Sequence, residues 1–280
     1  MRFDHAAPFF RISFKGRPEF TTLSFDLQKW YMDCVSSDGA LFIGYAAHLK
    51  WNALNVKFLS RLTLRDSELL TESALKGFTA PLQNGSQIEW KNDELHLACR
   101  WSNAKPCEPK TLLDTATGQV VWHCWAQNAD ARIELGSGPQ IHGRGYVERL
   151  HLTLPPWKLP IEQLTWGRFL SDHDSLIWIE WNGPQRLKFA LLNGVEQRDL
   201  HVRSERVRVP TAELEFQSPK VIRQGTIAQS VLGALGSTAS LFPDSILNLH
   251  ESKSFSQAEL RADDGSTSSG WAIHEVVRWP

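Results

Sequence analysis

The chain has 280 residues, of which 42% are hydrophobic and 22% are charged, so it can bury the core of one large or two modest domains. Its 30 basic and 31 acidic residues give a formal net charge of -1, and this balance, without a basic run or arm, excludes a nucleic-acid partner. No apolar stretch is long enough to be an integral membrane segment, and the absence of a signal-peptide pattern predicts a cytoplasmic protein.

The sequence predicts many short strands joined by turns. Residues 27–35 and 40–51 flank Ser37-Asp38-Gly39, a turn of the Asp-Gly kind that favours a tight hairpin. Similar turn signals recur at Asn84-Gly85, Thr117-Gly118, Asn182-Gly183, Asn193-Gly194 and Asp264-Gly265. Between the turns, β-rich runs are predicted at 120–126, 133–135, 175–181, 186–192, 213–216 and 271–279. Only residues 227–241 have helical character, and their glycines predict a short helix at most.

Meandering strands at this spacing favour an all-β fold of antiparallel barrels or sandwiches over βαβ units. Pro155, Pro156 and Pro160 mark a seam between two strand-rich halves. The sequence therefore predicts two domains, an N-terminal one over residues 1–155 and a C-terminal one over residues 156–280.

Motifs for metals, cofactors and activated nucleophiles are absent from the sequence. The ten histidines are scattered, with neither HExxH nor two histidines alternating on one strand. No GxSxG, GxGxxG or P-loop pattern occurs. The cysteines lack CxxC spacing, which predicts buried thiols rather than disulfides or zinc ligands at Cys34, Cys99, Cys107 and Cys124. We therefore expect neither a metal nor a cofactor.

The strand over residues 41–51 has one face of small side chains. Period-two alternation places on that face Phe42, Gly44, Ala46, His48 and Lys50. Glycine and alanine in a strand sacrifice packing, which suits the close approach of a ligand, and His48 would then point toward that ligand. The alternative is that Gly44 and Ala46 accommodate a neighbouring tryptophan and that His48 has no role in function.

Two carboxylates stand among apolar residues at strand spacing. The first lies on a strand whose same-face residues are Tyr146, Glu148, Leu150 and Leu152. The second lies on a strand whose same-face residues are Leu176, Trp178 and Glu180. Apolar surroundings raise the pKa of a carboxylic acid and suit it to donate a proton. The alternative for Glu148 is an ion pair with Arg149 or Arg168 that holds the two halves together.

A histidine lies beside indoles on the strand around residues 122–125. Alternation places His123 and Trp125 on one face and Trp122 and Cys124 on the other. Such a histidine could act as a general acid or base, or orient a polar group of a mostly apolar ligand. The alternative is a histidine of the core or the surface without a functional role.

Three segments carry a resemblance to a known family. They are Lys29-Trp30-Tyr31-Met32-Asp33, then Gly145-Tyr146-Val147-Glu148, and finally Leu164-Thr165-Trp166-Gly167-Arg168-Phe169 followed by Trp178. Together they resemble the lipocalin-like family of hydroxyneurosporene synthase, also called carotenoid 1,2-hydratase. That family has a WWY-type strand near its start and a GYxE segment followed by a tryptophan-glycine pair. The chain departs from the pattern at Lys29, where the family has the first tryptophan.

The resemblance implies two tandem lipocalin-like antiparallel β-barrel domains with a hydrophobic pocket. It also implies a small hydrophobic partner, an isoprenoid or polyene, whose alkene is protonated and then hydrated or cyclised. We predict Glu148 as the acid, with Tyr146 and Glu180 as further catalytic candidates. The predicted substrate-binding residues are Trp30, His48, Trp122, His123, Trp166 and Trp178. Two alternatives stay open: a non-catalytic carrier of a lipid or pigment, and a pericyclic cyclase in which Tyr146 polarises a carbonyl group.

Overall fold

The structure, a computed structural model, describes residues 25–136, 138–230 and 242–280. The first half of this chain forms an antiparallel sheet of ten strands. These strands are β1 (Phe25–Val35), β2 (Leu41–Trp51), β3 (Leu54–Arg65), β4 (Glu68–Ala74), β5 (Leu82–Asn84), β6 (Gln87–Asn92), β7 (Leu97–Ser102), β8 (Lys110–Thr115), β9 (Gly118–Leu135) and β10 (Ile141–Leu152). They pair in the order β4-β3-β2-β1-β10-β9-β7-β6-β5, and β8 pairs with β9.

The second half forms a separate antiparallel sheet of nine strands. These strands are β11 (Gln163–Leu170), β12 (Ser175–Asn182), β13 (Leu187–Leu192), β14 (Val195–Gln197), β15 (His201–Val202), β16 (Arg206–Val209), β17 (Ala212–Thr226), β18 (His250–Ala262) and β19 (Thr267–Arg278). They pair in the order β14-β13-β12-β11-β19-β18-β17-β16-β15. The predicted all-β, antiparallel class is confirmed. The connection 153–162, which holds the predicted seam, joins the last strand of one sheet to the first strand of the other.

The predicted turns lie between strands. Asn193 and Gly194 separate β13 from β14 and have φ values of 52° and 81°, the positive φ pair that a tight two-residue hairpin needs. Ser37-Asp38-Gly39 separates β1 from β2, and Asp264-Gly265 separates β18 from β19. Turn chemistry therefore predicts where these hairpins reverse.

Helical structure is short in the described residues. It consists of one 3-10 turn at Pro156–Lys158 and two short helices, α1 (Ile227–Ser230) and α2 (Asp244–Leu247). The helix predicted over 227–241 begins as α1, and residues 231–241 lie outside the described part of the chain. No helix among the described residues is long and apolar enough to cross a membrane.

Side chains on the two faces of each sheet enter different hydrophobic layers. One layer contains residues of the first sheet and its loops only, among them Trp30, Met32 and Trp90. Another contains residues of the second sheet and its loops only, among them Trp178 and Phe216. A third, middle layer combines residues of both sheets, among them Tyr31, Tyr45, Trp122, Trp166, Ile179 and Ile273. The candidate site lies in this middle layer.

Candidate functional site

A cavity of about 340 Å³ lies in the middle layer and is lined by both sheets. Its walls are mainly apolar and include Phe25, Leu49, Trp157, Ile179, Trp181 and Phe242. Alternation along the strands supplies this lining: on β2 it is Tyr45, Ala47 and Leu49 that reach the cavity. The volume lies at the small end of the range for ligand pockets, about 300–1,000 Å³. The cavity therefore suits a small hydrophobic molecule.

Glu148 of β10 lines the cavity and accepts hydrogen bonds from three side chains on one oxygen. The distances to Oε2 are 2.7 Å from the Tyr146 hydroxyl, 2.5 Å from Trp122 Nε1 and 3.2 Å from Trp166 Nε1. The other oxygen, Oε1, accepts no hydrogen bond from the described residues. One carboxyl oxygen is thus held by three donors, and the second has no donor among the described residues.

Burial raises the pKa of Glu148 above its usual value, and the hydrogen bonds from Tyr146, Trp122 and Trp166 together with the positive charge of Lys29 oppose that rise in part. The pKa of the Tyr146 phenol is also raised, because it is buried next to Glu148. Among the described residues Glu148 forms no ion pair with an arginine, so the alternative in which it pairs with Arg149 or Arg168 is wrong.

Arg168 pairs instead with Asp33, and this pair joins the two sheets behind the cavity. Its Nε lies 2.9 Å from Asp33 Oδ2, and both side chains are fully buried. Asp33 Oδ1 accepts the backbone N–H of Tyr146 at 3.2 Å, and Arg168 Nη1 donates to the Trp271 carbonyl at 2.7 Å. The pair therefore fixes β1 against β10 and β11, next to the residues that surround Glu148.

Three charged side chains from β17, β18 and β19 also line the cavity: Arg223, Glu251 and Glu275. Arg223 pairs with Glu251 and donates to the Tyr45 hydroxyl at 3.2 Å. Lys253 pairs with Glu275, and its Nζ lies 5.1 Å from the ring centre of Trp166. Although it is buried, Glu275 has a pKa lowered to about 2 by the positive charges of Lys253, Lys29 and Arg223. Burial and the neighbouring Glu275 raise the pKa of Glu251.

Four of the predicted site residues meet at one place: Glu148, Tyr146, Trp122 and Trp166. On β12 the cavity is lined by Ile179 and Trp181. The opposite face of this strand, which carries Trp178 and Glu180, therefore points away from the cavity. Trp178 lies in the core of the second sheet, and Glu180 lies 3.7 Å from Lys188.

The other three predicted binding residues also lie outside the cavity. Trp30 lies in the core of the first sheet, on the opposite face of β1 from Tyr31. His48 Nε2 is 2.8 Å from Asn55 Oδ1, and His123 accepts a hydrogen bond from Trp125 Nε1 at 3.1 Å. Because alternate residues point to opposite faces, the strands that line the cavity turn these side chains away from it.

The small side chains of β2 make room for a tryptophan rather than for a ligand. A Cβ placed on Gly44 would come within 2.5 Å of Trp90 Cζ3. Trp90 is almost completely buried in the core of the first sheet. The ligand interpretation of this face is therefore wrong, and the alternative of a neighbouring tryptophan is confirmed.

Sequence reasoning did not select four charged residues that line the cavity, which are Lys29, Arg223, Glu251 and Glu275, or Lys253, which pairs with Glu275. A signal for one of them was present. Glu275 stands between Ile273 and Val277 at strand spacing, the same pattern of an acid in an apolar row that drew attention to Glu148.

Two solved structures share this fold. Kievitone hydratase from Nectria haematococca matches with a TM-score of 0.54 and 8% identity, over 90% of this chain and 88% of that one. A candidate AttH protein from Nitrosomonas europaea matches with a TM-score of 0.51 and 8% identity, over 95% of this chain and 98% of that one. No protein-family profile and no curated protein matches the sequence. The fold that the chain shares with these two structures is the predicted all-β one, built here from two antiparallel sheets with a common middle layer.

Proposed function

We propose that the protein is an enzyme that holds a small isoprenoid or polyene in the cavity and transfers a proton from Glu148 to one of its double bonds. Hydration or ring closure then follows. The observation that carries this proposal is the carboxyl group of Glu148, which lines an apolar cavity and has all three of its hydrogen-bond donors on Oε2.

This arrangement suits an acid that must protonate carbon. Burial favours the neutral carboxyl group at rest, with its proton on Oε1 toward the ligand. When the proton leaves, the donors Tyr146, Trp122 and Trp166 are already in place to stabilise the carboxylate. No reorientation of these side chains is needed during the transfer, because the same hydrogen bonds exist in both protonation states.

The proposed reaction balances without a redox step. The proton of Glu148 forms a bond to one alkene carbon, and the other carbon becomes a cation. In hydration a water molecule adds to that carbon and gives up one proton, which restores Glu148. In cyclisation a second double bond attacks the cation, and loss of a proton from carbon restores the acid.

The contacts of Trp166 and Trp122 favour a role as hydrogen-bond donors over the predicted role in substrate binding. Trp166 already has the ammonium group of Lys253 over its ring, so its role is to donate a hydrogen bond to Glu148 rather than to stabilise a second cation. Trp122 has the same donor role. Stabilisation of the cation falls to other aromatic side chains of the cavity wall, such as Trp157 and Trp181. The likeness to a protein named as a hydratase supports water addition as the first outcome to test.

The decisive experiment is incubation of the purified protein with a lipid extract of its source organism in deuterated water, followed by mass spectrometry. We expect a hydrated or cyclised product with deuterium bound to carbon, and none with Glu148→Gln. Unfolding of the variant is measured in parallel, so that lost activity is separated from lost folding. A compound that is retained unchanged would favour the carrier, and an unlabelled isomer would favour the pericyclic cyclase. Either result would overturn the proposal.

A further inference from the structure

Lys29 lines the cavity and forms no close ion pair among the described residues, while its positive charge acts on Glu148 and on Glu275, the partner of Lys253. It lies on β1 in register with Ala47 of β2 and Leu150 of β10, and all three residues line the cavity. Its Nζ lies 5.3 Å from the ring centre of Tyr45.

The other charges in or beside the cavity form ion pairs. Arg223 pairs with Glu251, and Lys253 pairs with Glu275. Glu148 receives its hydrogen bonds from uncharged donors. With Glu148 protonated, as the proposed function requires, the described residues hold three positive charges here against two carboxylates, Glu251 and Glu275, an excess of one positive charge in a mainly apolar space. An unpaired charge in such surroundings is unfavourable, and an anion that binds there relieves it.

We propose that Lys29 binds a carboxylate of the ligand, so that the substrate is an isoprenoid or polyene acid rather than a neutral hydrocarbon. This inference names the substrate class of the proposed function and rests on it for the choice of site. The apolar lining takes the hydrocarbon part, and the ammonium group takes the carboxylate. An alcohol or ester in the same position can accept a hydrogen bond but leaves the positive charge unmatched.

Such an anchor also orients the ligand. Lys29 and Glu148 lie on neighbouring strands, with Lys29 opposite Leu150, two residues along β10 from Glu148. A carboxylate held by Lys29 therefore fixes one end of the chain close to the acid. The double bond that reaches Glu148 is then selected by its distance from the carboxylate.

The test uses cis-parinaric acid and its methyl ester, two fluorescent polyenes that differ only in the anionic group. Fluorescence titration of the purified protein measures both affinities. We expect the acid to bind more tightly than the ester. We expect Lys29→Met to lower the affinity for the acid by about 10- to 100-fold, which corresponds to the loss of a hydrogen bond to a charged group. The affinity for the ester is expected to stay unchanged.

Two further variants complete the test. Lys29→Arg keeps the charge and is expected to keep the preference for the acid. Lys57→Met is the matched control, because Lys57 also holds its Nζ over an aromatic ring, that of Phe78, but does not line the cavity. It is expected to change neither affinity.

Three results would overturn the inference: equal affinities of the native protein for acid and ester, an equal loss of both in Lys29→Met, or no binding of either probe. The outcome is separate from that of the deuterium experiment. A preference for the acid that depends on Lys29, found without deuterium incorporation, would leave the anion site in place and overturn only the proposed protonation of carbon.

Discussion

Asp33 and Arg168 form a fully buried ion pair that joins the two sheets, with 2.9 Å between Oδ2 and Nε. Removal of one partner leaves the other charge buried without compensation, which costs about 3–5 kcal/mol. Each residue also binds backbone, Asp33 the N–H of Tyr146 and Arg168 the carbonyl of Trp271. The pair therefore links folding of the two sheets to the position of the residues around Glu148.

We expect Arg168→Met to lower the free energy of unfolding by about 3–5 kcal/mol, measured by urea denaturation. The double variant with Asp33→Asn is expected to lose less than the sum of the single changes, because no unpaired charge remains. A loss below about 1 kcal/mol for Arg168→Met, the value of an exposed ion pair, would contradict this account.

The stability of Glu148→Gln relative to the native protein should increase with pH. Burial raises the pKa of Glu148 above its ordinary 4.5, so above that pH the folded state holds more protons than the unfolded chain. Stability of the native protein then falls as pH rises toward the folded-state pKa. Glutamine does not titrate, and its carbonyl oxygen can accept the same hydrogen bonds.

Denaturation at about pH 5 and about pH 8 measures this difference. Glu180→Gln is the control, because that carboxylate lies outside the cavity beside Lys188. An advantage of Glu148→Gln that stays constant or shrinks with rising pH would be incompatible with a buried acid at position 148.

The indole of Trp122 should affect the pKa of Glu148, and the indole of Trp178 should not. Trp122→Phe removes a donor to Oε2, which raises the pKa of Glu148 further and moves the alkaline limb of kcat/KM to higher pH. Trp178→Phe is the matched control, since this indole lies in the core of the second sheet. We expect Trp178→Phe to lower the free energy of unfolding and to leave the alkaline limb of kcat/KM at the same pH. The same shift in both variants would argue against a specific role for Trp122.

Gly167 is required by the packing of Trp178. A Cβ at position 167 would come within 2.1 Å of Trp178 Cζ2, so we expect Gly167→Ala to lower stability by about 1–3 kcal/mol through overpacking. Trp178→Leu in the same chain makes room for the methyl group, and the two changes should then be less than additive. Additive losses in thermal unfolding would show that the two positions do not interact.

The sequence predicts the all-β class, several hairpins and the environment of Glu148, because alternation and turn chemistry are local properties. The row that contains Glu148, Leu150 and Leu152 lines the cavity as one face of β10. Trp122 and Trp166, which were selected from tryptophan-rich segments, lie on different strands and both donate a hydrogen bond to Glu148.

Alternation cannot tell which of two apolar faces meets a cavity. Trp30 and Tyr31 are both buried, on opposite faces of β1, and only Tyr31 reaches the cavity. The same ambiguity placed Trp178 and Glu180 among the predicted site residues. It arises because each sheet is covered on both sides, by its own core and by the middle layer. The place of Lys29 in the cavity depends on pairing between strands that are distant in the sequence, which a single sequence does not reveal.

The unequal surroundings of the two oxygens of Glu148 also bear on stereochemistry. A carboxyl group in water can release its proton from either oxygen and in many directions. Here Oε2 is held by Trp122, Tyr146 and Trp166, so the proton has one resting position and one line of departure. A flat double bond fixed in front of that position would receive hydrogen on a single side, and the product would form as one mirror image.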